Sequence, residues 1–122
     1  MLTDLECRIR EYLIEAVKTG DAQRTVIRYK ALADMFQIPY NYTNERNDFH
    51  KILDDINRYE VGQNRPLLSA IVVNETKMPG KGFFRLAREL HLQRPEEDND
   101  AFAIRVRQEL FNFWETHDNT DV

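Results

Sequence analysis

Glu75-Thr-Lys77 follows, one residue on, an apolar run from Leu68 to Val73. A Glu-x-Lys pair at the end of an apolar strand suits metal-assisted hydrolysis: the carboxylate helps to hold Mg²⁺ and the lysine activates water. That chemistry needs a second carboxylate on a neighbouring strand. The nearest upstream acids, Asp54 and Asp55, fall in a segment with helical spacing, so a metal-dependent nuclease ranks behind two binding readings. Pro79-Gly-Lys-Gly82 is basic and glycine-rich but lacks the Gly-x4-Gly-Lys-Ser/Thr spacing that cradles phosphate. Its glycines supply the geometry of a tight turn. Ser69 has no Gly-x-Ser-x-Gly setting, and His50, His91 and His117 show no metal-ligand spacing and read as surface or edge residues. The single cysteine, Cys7, excludes an internal disulfide and a cysteine-based metal cluster, and reads as an inert, partly covered thiol. These residues indicate no cofactor and no metal.

What remains is a binding surface. Asn74, Lys77, Lys81, Phe84, Arg85 and Arg88 crowd the loop and helix that follow the apolar run. Loops held by a rigid scaffold are where small domains carry function. Arg24, Arg28 and Lys30 are candidates to lie nearby, and Phe84 and His91 to offer stacking or packing. Charge distribution points the same way. The net charge is −4, yet residues 65–94 hold six Lys/Arg against two Asp/Glu, and residues 95–122 hold two against eight. A basic loop and helix are thus followed by an acidic segment, which reads as solvated faces of opposite sign or, more sharply, as a mask over the basic residues or a pairing between protomers. Glu60 and Arg65 flank the loop before the apolar run and form a candidate structural ion pair.

The elements that must position these residues follow from periodicity. Leu5, Ile9, Tyr12, Leu13, Ala16 and Val17 make one stripe of a helix over residues 4–18, capped by Thr3 or Asp4 and ended by Gly20. A brief strand at Thr25–Arg28 precedes a helix over Tyr29–Phe36, which stops before Pro39. Phe49, Ile52, Leu53, Ile56 and Tyr59 define a helix over about residues 45–60. Residues 67–74 read as a strand covered on both faces. Phe83, Leu86, Ala87 and Leu90 line a short helix. A last helix over 100–116 is apolar over more than half its circumference, with Ile104 and Phe111 opposite Phe102, Val106 and Leu110. Such a helix buries two sides. It either runs between other elements, the reading favoured for a chain this small, or supplies a homodimer contact.

With 122 residues, 42% hydrophobic and 31% charged, the chain reads as a single globular domain over 1–117 with a flexible tail at 118–122. No apolar run is long enough to span a bilayer, and no signal peptide is evident, so no membrane is expected and the cytoplasm is the default location. The fold class is α+β and winged-helix-like, with about five helices around a small two- or three-stranded sheet. The favoured function is protein interaction through the 74–88 surface, the partner being unspecified; the alternative is binding of DNA or RNA.

Two resemblances accompany this reading. Thr25-Val-Ile-Arg-Tyr-Lys-Ala-Leu-Ala33 is similar to the opening of the helix-turn-helix domain in alkylguanine DNA alkyltransferases and alkyltransferase-like proteins. That similarity implies a DNA-binding winged helix, with residues 74–82 as the wing. It does not extend to alkyl transfer, because Pro66 is followed by Leu67-Leu68-Ser69 where those enzymes have Pro-Cys-His-Arg. The string Pro66-Leu-Leu-Ser-Ala-Ile-Val-Val73 with Pro79-Gly-x-Gly-Phe-Phe84 resembles a family of small, largely uncharacterised bacterial and phage-borne proteins. It implies a self-standing cytosolic domain and no particular chemistry.

Overall fold

A computed structural model describes residues 1–117; the tail expected at 118–122 lies outside them. Its order is α1 (Asp4–Thr19), β1 (Ile27–Arg28), α2 (Tyr29–Met35), α3 (Thr43–Gly62), a 3-10 turn (Leu68–Ile71), β2 (Val72–Val73), α4 (Lys81–Glu89) and α5 (Asn99–Thr116). The chain is α+β with helices dominant. Among the described residues, no helix is long and apolar enough to cross a membrane.

The helices begin where side chains can satisfy free backbone groups. Thr3 Oγ1 accepts from Glu6 N at 3.1 Å, and Glu6 reaches back to Thr3 N at 2.9 Å, a reciprocal cap on α1. Glu45 does the same for α3 by accepting from Asn41 N and Tyr42 N. Gly20 ends α1 for reasons of space. A Cβ there would come within 1.9 Å of Thr25 Oγ1, so any larger residue would push apart the turn that leads to β1. Cys7, expected to be partly covered, is instead exposed on α1.

The central apolar run departs from the strand expected over 67–74. Only Val72 and Val73 are extended, pairing in parallel with β1 in the register Ile27↔Val72 and Arg28↔Val73. The preceding Leu68–Ile71 coils into a 3-10 turn. The reason lies on α3. The Asn57 side chain accepts from Ser69 N at 3.1 Å and donates to Ser69 Oγ at 2.6 Å, taking up groups that a strand would offer to a neighbour. From α5, Arg107 Nη2 donates to the Ala70 carbonyl at 3.0 Å. Full burial of a short apolar run does not distinguish a strand from a buried helical turn. Here α1, α3 and α5 all pack against that turn. Its residues join Ile9, Leu13, Leu32, Phe49, Ile56, Phe102, Leu110 and Trp114 in one core. Helix α5 buries Phe102, Ala103, Val106, Leu110, Phe111 and Trp114 and leaves Ile104 exposed.

One polar cluster crosses this core. Glu60, with no exposed surface, accepts from Arg65 Nε through one carboxylate oxygen and from Arg10 Nε, at 2.9 Å, through the other. Both guanidiniums lie over the Tyr59 ring, 5.6 and 5.5 Å from its centre, and Arg10 also lies 5.9 Å from Trp114. The cluster ties α1, the end of α3, the following loop and α5 together. Removing only the carboxylate leaves two buried guanidiniums without their shared counter-charge. Glu60→Ala is therefore expected to cost about 3–5 kcal/mol in urea unfolding, whereas replacing Arg10, Glu60 and Arg65 together by apolar residues costs far less.

Candidate binding groove

Asn74 begins the segment that carries the candidate surface. Its Oδ1 accepts from Thr76 N at 2.9 Å, while its backbone N donates to Met78 O at 2.8 Å, closing a tight turn. Lys77, inside that turn, has φ 65°. Glu75 and Lys77 are exposed on the turn rather than set at a strand end. Among the described residues, no group of three His, Cys, Asp or Glu side chains is placed to hold a metal.

From this turn the chain passes Pro79 and Gly80 into α4. A groove of about 530 Å³ opens between the turn, α4 and the start of α5. Asn74, Lys81, Phe84, Arg85 and Arg88 line it together with Met78, Pro79, Asn99 and Asp100. Five of the six residues picked from the sequence thus share one concavity, while Lys77 stands outside its lining. Of the stacking or packing expected of Phe84, the structure shows packing. It is 5% exposed and packs against Phe83 and Phe102 at 5.2 and 6.2 Å between ring centres, so it serves as floor. Adjacent phenylalanines on α4 widen its apolar face enough to bury both. His91 lies beyond the end of α4 and is exposed.

The walls carry opposite charge. Lys81, Arg85 and Arg88 rise from α4; Asp100 stands on α5. Arg88 Nη2 donates to Asn99 Oδ1 at 2.9 Å, and both residues continue into a second concavity of about 650 Å³ formed with Arg94, Glu97 and Asp98. Two of the four acids of the 96–100 segment, Glu97 and Asp98, are engaged by α5 itself. Glu97 takes two hydrogen bonds from Arg105, at 2.8 and 2.9 Å, which hold its carboxyl down at about 2. Asp98 caps α5 by accepting from Ala101 N at 2.8 Å. Lys81 and Arg85 have no ion-pair partner among the described residues. Arg28 and Lys30, expected near this surface, line a different groove with Tyr29, Tyr40, Arg46 and Glu75, and Asn74 forms the ridge between the two.

Behind the groove sits a polar cleft that sequence reading missed. Tyr29 Oη accepts from Gly80 N at 2.7 Å, fixing the N-terminus of α4 against α2. Burial pushes the Tyr29 phenol up to about 12. His50, read as a surface or edge residue, is half-buried between Tyr29 and Tyr40, with Nε2 2.6 Å from Tyr40 Oη. Burial, helped by the nearby Arg46 charge, lowers its pKa. One turn further along α3, burial raises the pKa of Asp54. Tyr29, His50, Asp54, Ser69 and Gly80 enclose only about 20 Å³, room for a water molecule and no substrate. The cleft is a strut for the groove. An aromatic residue at the start of one helix and a glycine before another, 51 positions apart, gave no sequence signal of it.

Comparison of the chain with protein-family models, with curated proteins and with solved structures finds no match.

Tyr29→Phe leaves the Gly80 amide without its acceptor and is expected to lower stability by about 1–3 kcal/mol in urea unfolding. The cleft also sets a pH dependence. His50 has a folded pKa below its ordinary 6.5, so the unfolded chain binds that proton more tightly. Its contribution is complete above 6.5 and is lost as the pH falls through the folded value. Asp54 has the opposite sign: raised above 3.8, its contribution is complete below that value and is lost as the pH rises through the folded one. Urea midpoints of the wild type, His50→Gln and Asp54→Asn measured from about pH 4 to about pH 8 should show the first variant flattening the upper part of the profile and the second the lower.

Proposed function

We propose that this protein is a binding module that holds an acidic, apolar-bearing segment of a partner protein in the groove between the 74–80 turn, α4 and the start of α5. The supporting observation is the make-up of that groove: Met78, Pro79 and Phe84 give an apolar floor, and Lys81, Arg85 and Arg88 outnumber Asp100 on the walls. An apolar floor with charges of both signs suits a peptide, whose side chains alternate in character. A uniform phosphate backbone is attracted by uniform positive charge and repelled by Asp100. The concavity is held by a capped turn and by the Tyr29 strut, so little ordering is needed on binding.

Nucleic-acid binding is the second reading. Its support is that Lys77, Lys81 and Arg85 are exposed and lack ion-pair partners among the described residues. Within that reading the chain acts as a winged helix, with residues 74–80 contacting the backbone of a duplex. The two short strands pair in parallel, so this wing would be a turn rather than an antiparallel hairpin.

The two readings separate in one experiment. A displayed library of random peptides is selected on the wild type and counter-selected on the variant Lys81→Glu/Arg85→Glu/Arg88→Glu. Enrichment of peptides that pair acids with large apolar residues, bound at least roughly tenfold more weakly by the variant, is the expected result. Anisotropy titrations with labelled single- and double-stranded DNA and RNA run alongside. Affinity for these that falls steeply with salt and disappears in the variant, with no peptide enriched, would replace the first reading with the second.

A further inference from the structure

Across the Asn74 ridge a second groove, of about 540 Å³, opens between the start of α2, the loop before α3 and the end of β2. Its volume is in the range of small-molecule sites. It shares only Asn74 with the basic groove and does not depend on what that groove holds. Ala31, Val73 and two tyrosines, Tyr29 and Tyr40, make up its apolar part. The aromatic wall is fixed in place. The two rings are parallel to within 5°, with centres 6.5 Å apart. Tyr29 is tethered through its Oη to Gly80 N, and Tyr40 through its Oη to His50 Nε2. Tyr40 nevertheless remains half-exposed, so a second flat ring can lie against it.

Five charged residues line the same groove. Lys30 and Asp34, one turn apart on α2, neutralise each other at 3.2 Å. Arg28, Arg46 and Glu75 have no ion-pair partner among the described residues. Arg46 is held in position all the same: Nη1 donates to the Asn41 carbonyl at 2.7 Å and Nη2 to Thr43 Oγ1 at 3.2 Å. Both acceptors are uncharged, so this guanidinium is oriented while its charge stays uncompensated. Arg28, at the end of β1, and Glu75, on the Asn74 turn, are both exposed to solvent.

A ligand that uses all of these groups has three parts: a flat ring for Tyr40, an anion for the two arginines and hydrogen-bond donors for Glu75. A plain aromatic acid lacks the donors and is repelled by Glu75. A ribose supplies them, since a carboxylate accepts well from its vicinal hydroxyls. Phosphate suits the planar donors of arginine. We propose that this groove binds a nucleoside monophosphate, its base against Tyr40, its phosphate between Arg28 and Arg46 and its ribose hydroxyls on Glu75.

The test is a titration of the ¹⁵N-labelled full chain with AMP, GMP, CMP and UMP in turn, followed by amide chemical shifts. At least one should move the resonances of Arg28, Tyr40, Arg46 and Glu75. Its nucleoside, which lacks the anion, and ribose 5-phosphate, which lacks the ring, should each bind roughly tenfold more weakly. Its 2′,3′-dideoxy form should bind several-fold more weakly to the wild type and no differently from the parent nucleotide to Glu75→Ala. Arg28→Gln, at an exposed position, should weaken the nucleotide and leave the nucleoside unchanged; Arg46→Gln should do the same, with the remaining amide shifts reporting that the fold is intact. The proposal is overturned if no nucleotide moves these resonances at millimolar concentration, or if nucleoside and nucleotide bind equally well. Shifts centred on Lys81, Arg85 and Arg88 would also overturn it, because they place the phosphate in the other groove.

Discussion

Glu60 accepts a hydrogen bond from Arg10 through one oxygen and from Arg65 through the other, and the layout of the chain depends on that shared carboxylate. Three charges withdrawn from water give little net stability, since desolvation consumes most of their attraction. What they impose is geometry. A slip of α1 by one turn would carry Arg10 away from Glu60 and leave charge buried without a partner, an error far more costly than a misplaced leucine. The same carboxylate fixes the Gln63–Arg65 loop, and so the point where the chain enters the 3-10 turn.

From that point the groove is built outward in short steps. Asn57 holds Ser69, and β1 pairs with only two residues before the chain leaves the core at Asn74. The Asn74 turn and the Tyr29–Gly80 hydrogen bond then set where α4 begins. Phe83 and Phe84 anchor α4 against Phe102, which fixes how Lys81, Arg85 and Arg88 face the start of α5. The groove is thus a junction between a helix fixed at its N-terminus and another fixed by Asp98 and Glu97.

The opposed charges of the two segments acquire a specific meaning in this arrangement. Read along the chain, the acidic residues after position 95 invite the idea of a mask over the basic helix. In three dimensions Glu97 and Asp98 serve α5, one by pairing with Arg105 and the other by capping the helix. Asp100 alone of the 96–100 acids lines the groove beside α4. Among the described residues, the acidic segment places one carboxylate, that of Asp100, in the lining of the groove.

The sequence by itself determined the helices, because their apolar residues recur with a 3.6-residue period and α1 adds local start signals in Thr3 and Glu6. It also determined the groove's cations, because Lys81, Arg85 and Arg88 sit on the polar side of one short helix, and it singled out Glu60 with Arg65, five residues apart. Tertiary structure decided the rest. Whether Leu68–Ile71 would extend or coil depended on Asn57 and Arg107, which approach from other helices. Nothing near Arg10 in the sequence announces its partner, because Glu60 lies 50 positions away. His50 reads as a surface or edge residue until Tyr29 and Tyr40 close around it, and Phe84 as a residue for stacking or packing until Phe102 covers it. Periodicity reports which side of an element avoids water. Which buried polar group meets which is a property of two distant segments at once, and it exists only when the chain has folded.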